Sequence, residues 1–331
     1  MVNNVKQRYD TLDYFKLFCA FLVVCIHTEP FGGSGMLDNA FGCLTRIAVP
    51  FFFVVTAFFF FQRETSWSRC LSYCKRLFML YLIWSILYCA ARRFALGEWD
   101  QNAIYMFFVS GYQYLWFFHA CIFAAIAMTA LLKLLGGRAN WIYPLALALY
   151  VCGCLISTYA PLFSRFPAVE SFLRYRFPEV FGTRNWLFYG IPCFAMGHWF
   201  ANSKRHLPLG ISLIGIAVCF LTQAAEGWLA VGILHTNQTI LWFSMVPLTF
   251  FIMNACLTVQ IDNRFLQDHA KFIRKCTTWI YCIHPILILF LQPVIMNPMV
   301  LTAVVFVLSF FLSALYTAFQ TGMMSSALTR Q

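Results

Sequence analysis

Apolar runs of about 17–25 residues follow one another along the whole chain, separated by short segments that hold most of the charges. A helix of that length crosses the hydrocarbon core of a bilayer. The pattern therefore predicts an all-α polytopic membrane protein with about ten transmembrane helices. The predicted spans lie near residues 13–31, 43–61, 76–94, 112–132, 141–160, 185–201, 208–225, 238–258, 277–296 and 299–320.

Basic residues between these runs determine the predicted orientation. With the N-terminus inside, sixteen of the 23 Lys and Arg residues fall on cytoplasmic segments. The outer segments carry Arg46, Arg92, Arg93, Arg165, Arg174, Arg176 and Arg184. Because positive charge concentrates in cytoplasmic loops, both termini are expected in the cytoplasm. An odd number of spans would place the two termini on opposite sides of the membrane.

The composition supports the same class. The 331 residues are 61% hydrophobic and 11% charged, which is too little charge to cover a soluble protein of this length. We expect a single transmembrane domain over residues 1–331, with no soluble domain beyond it, in the cytoplasmic membrane. The net charge of +11 is expected to affect the orientation in the membrane and to attract the anionic head groups of the lipid bilayer. Nucleic acid is not an expected partner.

Two connecting segments are longer than the others. Residues 95–111 are expected to lie at the outer interface. Residues 161–184 are expected to form an extracytoplasmic loop, either an amphipathic helix resting on the membrane or a lid over a site. The N-terminus resembles a signal peptide, but Asp10, Asp13 and the lack of a small-residue cleavage site favour an uncleaved first span.

The 14 cysteines are scattered singly through apolar segments. There is no CxxC pair and no Cys/His cluster with the spacing of a zinc site. Cysteines in this pattern act as small buried hydrophobic residues. We therefore expect neither a disulfide framework nor a bound metal.

Lys16 and His27 are two ionisable residues within the first apolar run, where such side chains are energetically unfavourable. His27 follows Lys16 by eleven positions, which places both on one helical face, stacked about 16 Å apart. An ionisable side chain in lipid costs at least about 2.5 kcal/mol, so a face that keeps both is expected to line a protein cavity. A histidine there can act as a general base near neutral pH.

Each of these residues has a simpler interpretation. His27 can hydrogen-bond a neighbouring helix, and Lys16 can anchor the cytoplasmic end of the span. Glu29 lies on a different face and nearer the outer boundary. It either orients the base or sits among the head groups.

Six short motifs occur in an order typical of one family. They are LDYFKLFCAFLVVCIH, RIAVPFFFVVTAFFFF, KRLFMLYLIWSILY, YLWFFHA, TRNWLFYGIPCFAMG and TWIYCIHPILI. Through them the chain resembles the membrane acyltransferase-3 family over nearly all ten predicted helices. The resemblance implies transfer of an acyl group, usually acetyl, from cytoplasmic acyl-CoA to a hydroxyl of an envelope glycan or a lipid-linked sugar at the outer face.

The resemblance also implies roles for individual residues. His27 matches the essential histidine of the family and is the expected catalytic base, with Glu29 beside it. The expected residues for acetyl-CoA are Lys16, Asp13, Lys75 and Arg76. The expected residues for the substrate are Arg46, Trp116, Arg184, Asn185 and His284.

These assignments also have structural alternatives. Arg46 and Arg184 can anchor their helices at the membrane–water interface, and Trp116 can be a packing residue. His284 precedes Pro285 and can satisfy backbone that the proline leaves unbonded.

A transporter is the competing function. The TRNWLF segment and the VPFFF run are similar to the membrane half of vancomycin-resistance serine racemases, which is sometimes viewed as a serine transporter. A structural or sensor protein is a third class, but it does not explain Lys16 and His27 on one face. The sequence does not indicate the acceptor, the acyl length or the oligomeric state, and it is compatible with a homodimer.

Overall fold

The chain is described by a computed structural model over residues 8–32, 36–172, 184–203, 205–235 and 241–328. Within these ranges it forms α-helices with short 3-10 and π turns and no β-strand. The all-helical prediction is therefore confirmed for the described residues. The helices are α1 (Asp10–Thr28), α2 (Met36–Thr45), α3 (Ala48–Phe61), α4 (Trp67–Leu96), α5 (Ala103–Val109), α6 (Trp116–Leu135), α7 (Ile142–Ile156), α8 (Pro167–Ser171), α9 (Ile191–Asn202), α10 (Leu209–Trp228), α11 (Met245–Thr258), α12 (Arg264–Leu291) and α13 (Pro298–Leu328).

Seven helical segments of the described chain are long and apolar enough to cross a membrane. They are Asp10–Thr28, Phe41–Phe61, Trp67–Leu96, Ala103–Leu135, Arg138–Ile156, Leu209–Ile233 and Pro298–Gln320. They correspond to seven of the ten predicted spans, and they make the chain a multi-pass membrane protein. The other three predicted spans coincide with α9, α11 and the second half of α12. The number ten and the orientation of the termini stay predictions.

The outer loop predicted at residues 161–184 is only partly described. It begins with a 3-10 turn at Ala160–Phe163 and the short helix α8, and residues 173–183 lie outside the described residues.

Local sequence explains where several helices begin and end. Ser66 caps α4 by accepting a hydrogen bond from the backbone N–H of Arg69 (3.3 Å), and Asn263 caps α12 by accepting one from Leu266 (3.2 Å). α4 ends at Gly97, whose φ of 73° is in the left-handed region that glycine adopts without strain. Such caps satisfy backbone groups that a helix end leaves unbonded.

A proline separates α2 from α3. Pro50 has no backbone N–H to donate to the carbonyl of Arg46, and its ring would clash with that carbonyl in a continuous helix. The apolar segment Phe41–Phe61 is accordingly interrupted by a turn at Arg46 and Ile47. Arg46 therefore lies in the turn directly before α3.

α1 lies at the centre of the helix assembly. It packs against α3, α12 and α13, while α3 packs along α9 and α4 packs against α6 and α12. Phenylalanine rings fill the core between α3 and its neighbours. The ring of Phe53, which is fully buried, contacts the rings of Phe117, Tyr189 and Phe194. Aromatic contacts of this kind add to the stabilisation that burial alone provides.

Gly197 is the point of closest approach between α9 and α3. A Cβ atom at this position would lie 2.5 Å from the Cβ of Ala57 and 2.6 Å from the carbonyl oxygen of Val54. Small residues at helix interfaces allow backbones to approach closely in membranes. The contact therefore requires glycine.

We predict that Gly197→Ala destabilises the protein by about 1–3 kcal/mol, because the added methyl group forces α9 away from α3. The matched control is Gly210→Ala near the start of α10, where an added Cβ meets nothing within 4 Å. Thermal unfolding in detergent measures both changes. Equal stability of the two variants would contradict the close contact.

Candidate active site

One large cavity, here called the central cavity, lies between α1, α3, α4 and α12. Its volume is about 540 Å³, within the range of small-molecule sites. Each helix contributes one face to its wall. The lining residues include Lys16, Val23 and His27 of α1, Val49, Phe52, Thr56 and Phe59 of α3, Tyr73, Arg76 and Leu80 of α4, and Arg274, Thr277, Thr278 and Tyr281 of α12.

Three cationic residues form one end of the cavity, which we call the basic end: Lys16, Arg76 and Arg274. The Nζ atom of Lys16 lies 2.6 Å from Oδ1 of Asp13 and 5.8 Å from the centroid of the Phe59 ring. A guanidinium nitrogen of Arg274 lies 3.9 Å from Oδ2 of the same aspartate. Asp13 and Lys16 are only 4% and 8% exposed, so one buried carboxylate positions two of the three cations.

His27 marks the other end of the cavity, which we call the histidine end. Its ring makes an edge-to-face contact with Tyr114 at a centroid distance of 4.6 Å. On another side it stacks on His284 at 5.5 Å, with 19° between the ring planes. The imidazole of His27 is therefore held between two aromatic rings while it remains on the cavity wall.

His284 lies behind His27 and is fully buried. Its Nδ1 lies 3.0 Å from the carbonyl oxygen of Ile280, so Nδ1 carries the proton and donates it. This bond next to Pro285 matches the structural alternative for His284. The other ring nitrogen, Nε2, has no hydrogen-bond partner in the described part of the chain.

Arg46 and Arg184 also line the central cavity. Arg46 lies in the turn before α3, and its guanidinium lies 5.9 Å from the ring centroid of Trp242. Such a cation–π contact orients an arginine. Arg184 precedes a π turn at Trp186–Gly190 and stays exposed.

A buried hydrogen-bond network holds the segment that carries Trp242. Tyr150 donates to the carbonyl of Trp242 (2.7 Å). The carboxyl group of Glu226 accepts from the backbone N–H groups of Phe243 (2.6 Å) and Ser244 (2.9 Å). Buried hydrogen-bond networks are rigid, so the backbone around Trp242 is held in place.

The central cavity is strongly cationic. Of the described residues that line it, five are Lys or Arg and none is Asp or Glu. Within the described chain, no group of three His, Cys, Asp or Glu side chains could hold a metal ion. The arrangement suits an anionic ligand at the basic end and a proton transfer at His27.

Six of the residues singled out in the sequence line this one cavity: Lys16, His27, Arg46, Arg76, Trp116 and Arg184. Asp13 and His284 lie behind the wall and contact Lys16 and His27.

Three other residues singled out in the sequence do not reach the wall. The amide oxygen of Asn185 accepts from the backbone N–H groups of Leu187 and Phe188, both at 2.9 Å, so it caps the π turn. Glu29 ends α1 in the left-handed conformation and is exposed. Lys75 is exposed beside Arg76 but does not line the cavity.

Sequence reasoning missed the face that α12 contributes. Arg274, Thr277, Thr278 and Tyr281 stand at positions i, i+3, i+4 and i+7, which is the spacing of one helical face. All four line the cavity. This polar stripe in an otherwise apolar span is the available signal. For the predicted orientation alone, Arg274 counts only as one of the sixteen cytoplasmic basic residues.

The fold and site define a multi-pass membrane protein with a cationic interior cavity. Residues 9–318 match the acyltransferase domain family known as acyltransferase-3. The chain belongs to this family, as its motifs predicted. No solved structure is significantly similar to it.

Three curated relatives are named as racemases. An amino-acid racemase of Enterococcus faecalis is 25% identical over 94% of this chain and 46% of its own length. A serine/alanine racemase of Enterococcus gallinarum is 24% identical over 83% of this chain and 40% of its own length. The chain thus spans less than half of these relatives.

We predict that Asp13→Asn destabilises the protein by about 3 kcal/mol, because it leaves the buried ammonium of Lys16 without its partner. The double variant Asp13→Asn/Lys16→Met removes both charges and is expected to recover most of the loss. Thermal unfolding of the single and double variants in detergent measures this coupling. A double variant that is no more stable than Asp13→Asn would refute the pairing.

Proposed function

We propose that the protein is an O-acyltransferase that moves an acyl group, acetyl in the first instance, from acyl-CoA to a hydroxyl of an envelope glycan or lipid-linked sugar. One observation carries the proposal: a single cavity connects a cluster of cations to a histidine. Family membership supports acyl transfer as the reaction class. The donor, the acceptor and the direction of transfer are our inference.

The basic end suits the phosphates of CoA. Lys16, Arg76 and Arg274 bring three cations from three helices to one region, and arginine pairs with phosphate through two parallel hydrogen bonds. Thr277 and Thr278 add hydroxyl groups beside Arg274. The apolar wall between the two ends, which includes Val23, accommodates the pantetheine arm, so the thioester would reach His27.

His27 would act as the general base. Its imidazole takes the proton of the acceptor hydroxyl as the hydroxyl oxygen bonds to the acetyl carbonyl carbon. The carbon–sulfur bond of the thioester then breaks, and His27 returns the proton to the departing CoA sulfur. His284 and Tyr114 hold the imidazole in place through the ring contacts described above. A covalent route, in which His27 first accepts the acetyl group, uses the same residues.

The proposed direction follows from the charges. We place the basic end at the cytoplasmic side, where acyl-CoA is available, and the histidine end towards the outer face of the cytoplasmic membrane. Ten spans with both termini in the cytoplasm agree with this orientation and with the bias of Lys and Arg. The homodimer remains a compatible state.

We predict that His27→Ala lowers acetyl transfer from radiolabelled acetyl-CoA to extracted envelope glycans by at least about 100-fold, the typical contribution of a general base. The control is His269→Ala, because this histidine of α12 is exposed and lies outside the cavity lining. Purified protein in nanodiscs allows transfer to be counted directly. Transfer at the normal rate by His27→Ala would remove the assigned role.

A matched pair on α4 tests the donor site. Arg76→Gln is expected to weaken CoA binding about tenfold, the effect of losing one charge-assisted hydrogen bond. Lys75→Gln removes the same charge one residue earlier, but from a side chain outside the cavity lining, and should leave binding unchanged. Equilibrium titration with CoA measures both, and equal losses would mean that the basic end does not hold the phosphates.

Amino-acid transport is a second candidate function. The observation that favours it is the match to proteins named amino-acid racemase and serine/alanine racemase over most of this chain. Transport needs neither a CoA site nor a base. Uptake of serine into proteoliposomes without acetyl-CoA, together with no transfer in the assay above, would favour transport.

A further inference from the structure

The histidine end carries cations of its own. Arg46 and Arg184 line the central cavity together with His27. Arg184 is close enough to interact electrostatically with both Arg46 and His27. Lys16, at the basic end, lies eleven residues before His27 on α1, about 16 Å away. The cavity therefore has two separate cationic regions.

Two guanidinium groups that repel each other in a partly enclosed site favour a bound anion between them. The five charged side chains among the described lining residues are all cationic, which favours an anionic ligand. Glu226 is a buried carboxyl group that does not line the cavity. It accepts hydrogen bonds from Tyr159, Phe243 and Ser244 and is thereby committed to the loop around Trp242.

The phosphates of the donor do not fit this role. With the thioester at His27, they lie at the opposite end of the pantetheine arm, beside Lys16 and Arg76. The second cationic region must then serve another group. The remaining reactant is the acceptor, which has to bring its hydroxyl to His27.

The surroundings of the two arginines suit a sugar. Trp116 and Tyr189 also line the cavity, and their rings lie 5.8 Å apart at 81°. Flat aromatic faces pack against sugar rings, while arginine binds carboxylate and phosphate through paired hydrogen bonds. An ammonium group, in contrast, would find no acidic side chain on the described wall.

We propose that the acceptor is an acidic sugar, whose carboxylate or phosphate binds at Arg46 and Arg184 while one of its hydroxyls reaches His27. The hydroxyl's role rests on the proposed acyl transfer. The anion site itself does not, because it is defined by the two arginines alone. The competing role for the arginines is stabilisation of the oxyanion that forms on the acetyl carbonyl.

Binding of simple sugars to the full chain in nanodiscs, without acetyl-CoA, tests the site. We expect glucuronate or glucose 1-phosphate to bind at least tenfold more tightly than glucose, and the tighter of the two identifies carboxylate or phosphate. Arg46→Gln and Arg184→Gln should each weaken binding of that anion about tenfold and leave glucose unchanged. Arg165→Gln is the control, since this arginine of the outer segment is exposed and lies outside the cavity lining.

The outcomes separate the two proposals. No measurable binding of either anion, or equal binding of anions and glucose, overturns the acidic-acceptor proposal. Transfer that falls equally for acidic and neutral acceptors in Arg46→Gln and Arg184→Gln also overturns it, because that pattern indicates oxyanion stabilisation. Tight anion binding that depends on the arginines, with no transfer from acetyl-CoA, supports the anion site and removes the acyltransferase function.

Discussion

The cost of placing a charge in lipid governs the architecture of this protein. An isolated cation at the centre of a membrane helix is strongly unfavourable, yet Lys16, Arg46 and Arg274 belong to apolar helices or their ends. The structure resolves the conflict by turning these side chains inward to one cavity. Asp13 offsets part of the cost at the basic end, where it contacts both Lys16 and Arg274.

The same requirement determines how α1 and α12 pair. Asp13 contacts Arg274 near one end of the pair, and His27 contacts His284 near the other. These contacts occur in the same order along both helices, so the helices run in parallel. A shift of one helix along the other would break both contacts together. The buried rings of α3 and the close approach at Gly197 then support the opposite wall. The proposed function and the helix register therefore depend on the same few residues.

The features that sequence could predict are those confined to one helix. Lys16 and His27 share a face because their spacing alone specifies it. Arg274 belongs to the cavity only because α12 pairs with α1, and a single sequence does not contain that pairing. Lys75 and Arg76 show the same limit, since adjacent residues differ by 100° around a helix and packing decides which one faces inward. The first half of α12 carries several charges, so the sequence predicts a span only for its second half.

In the proposed acyl transfer, the separation of the two cationic regions would let one cavity serve two reactants. If both ligands are anionic, a single cluster would bind them competitively at the same place. Two clusters at opposite ends of α1 instead leave His27 beside the point where the reacting atoms meet. Its contact with Tyr114 and His284 restricts its rotation, and Trp242 together with the Glu226 network fixes Arg46. Groups that are held in place before the substrates arrive need little reorganisation during the reaction. Such preorganisation is the main source of electrostatic catalysis.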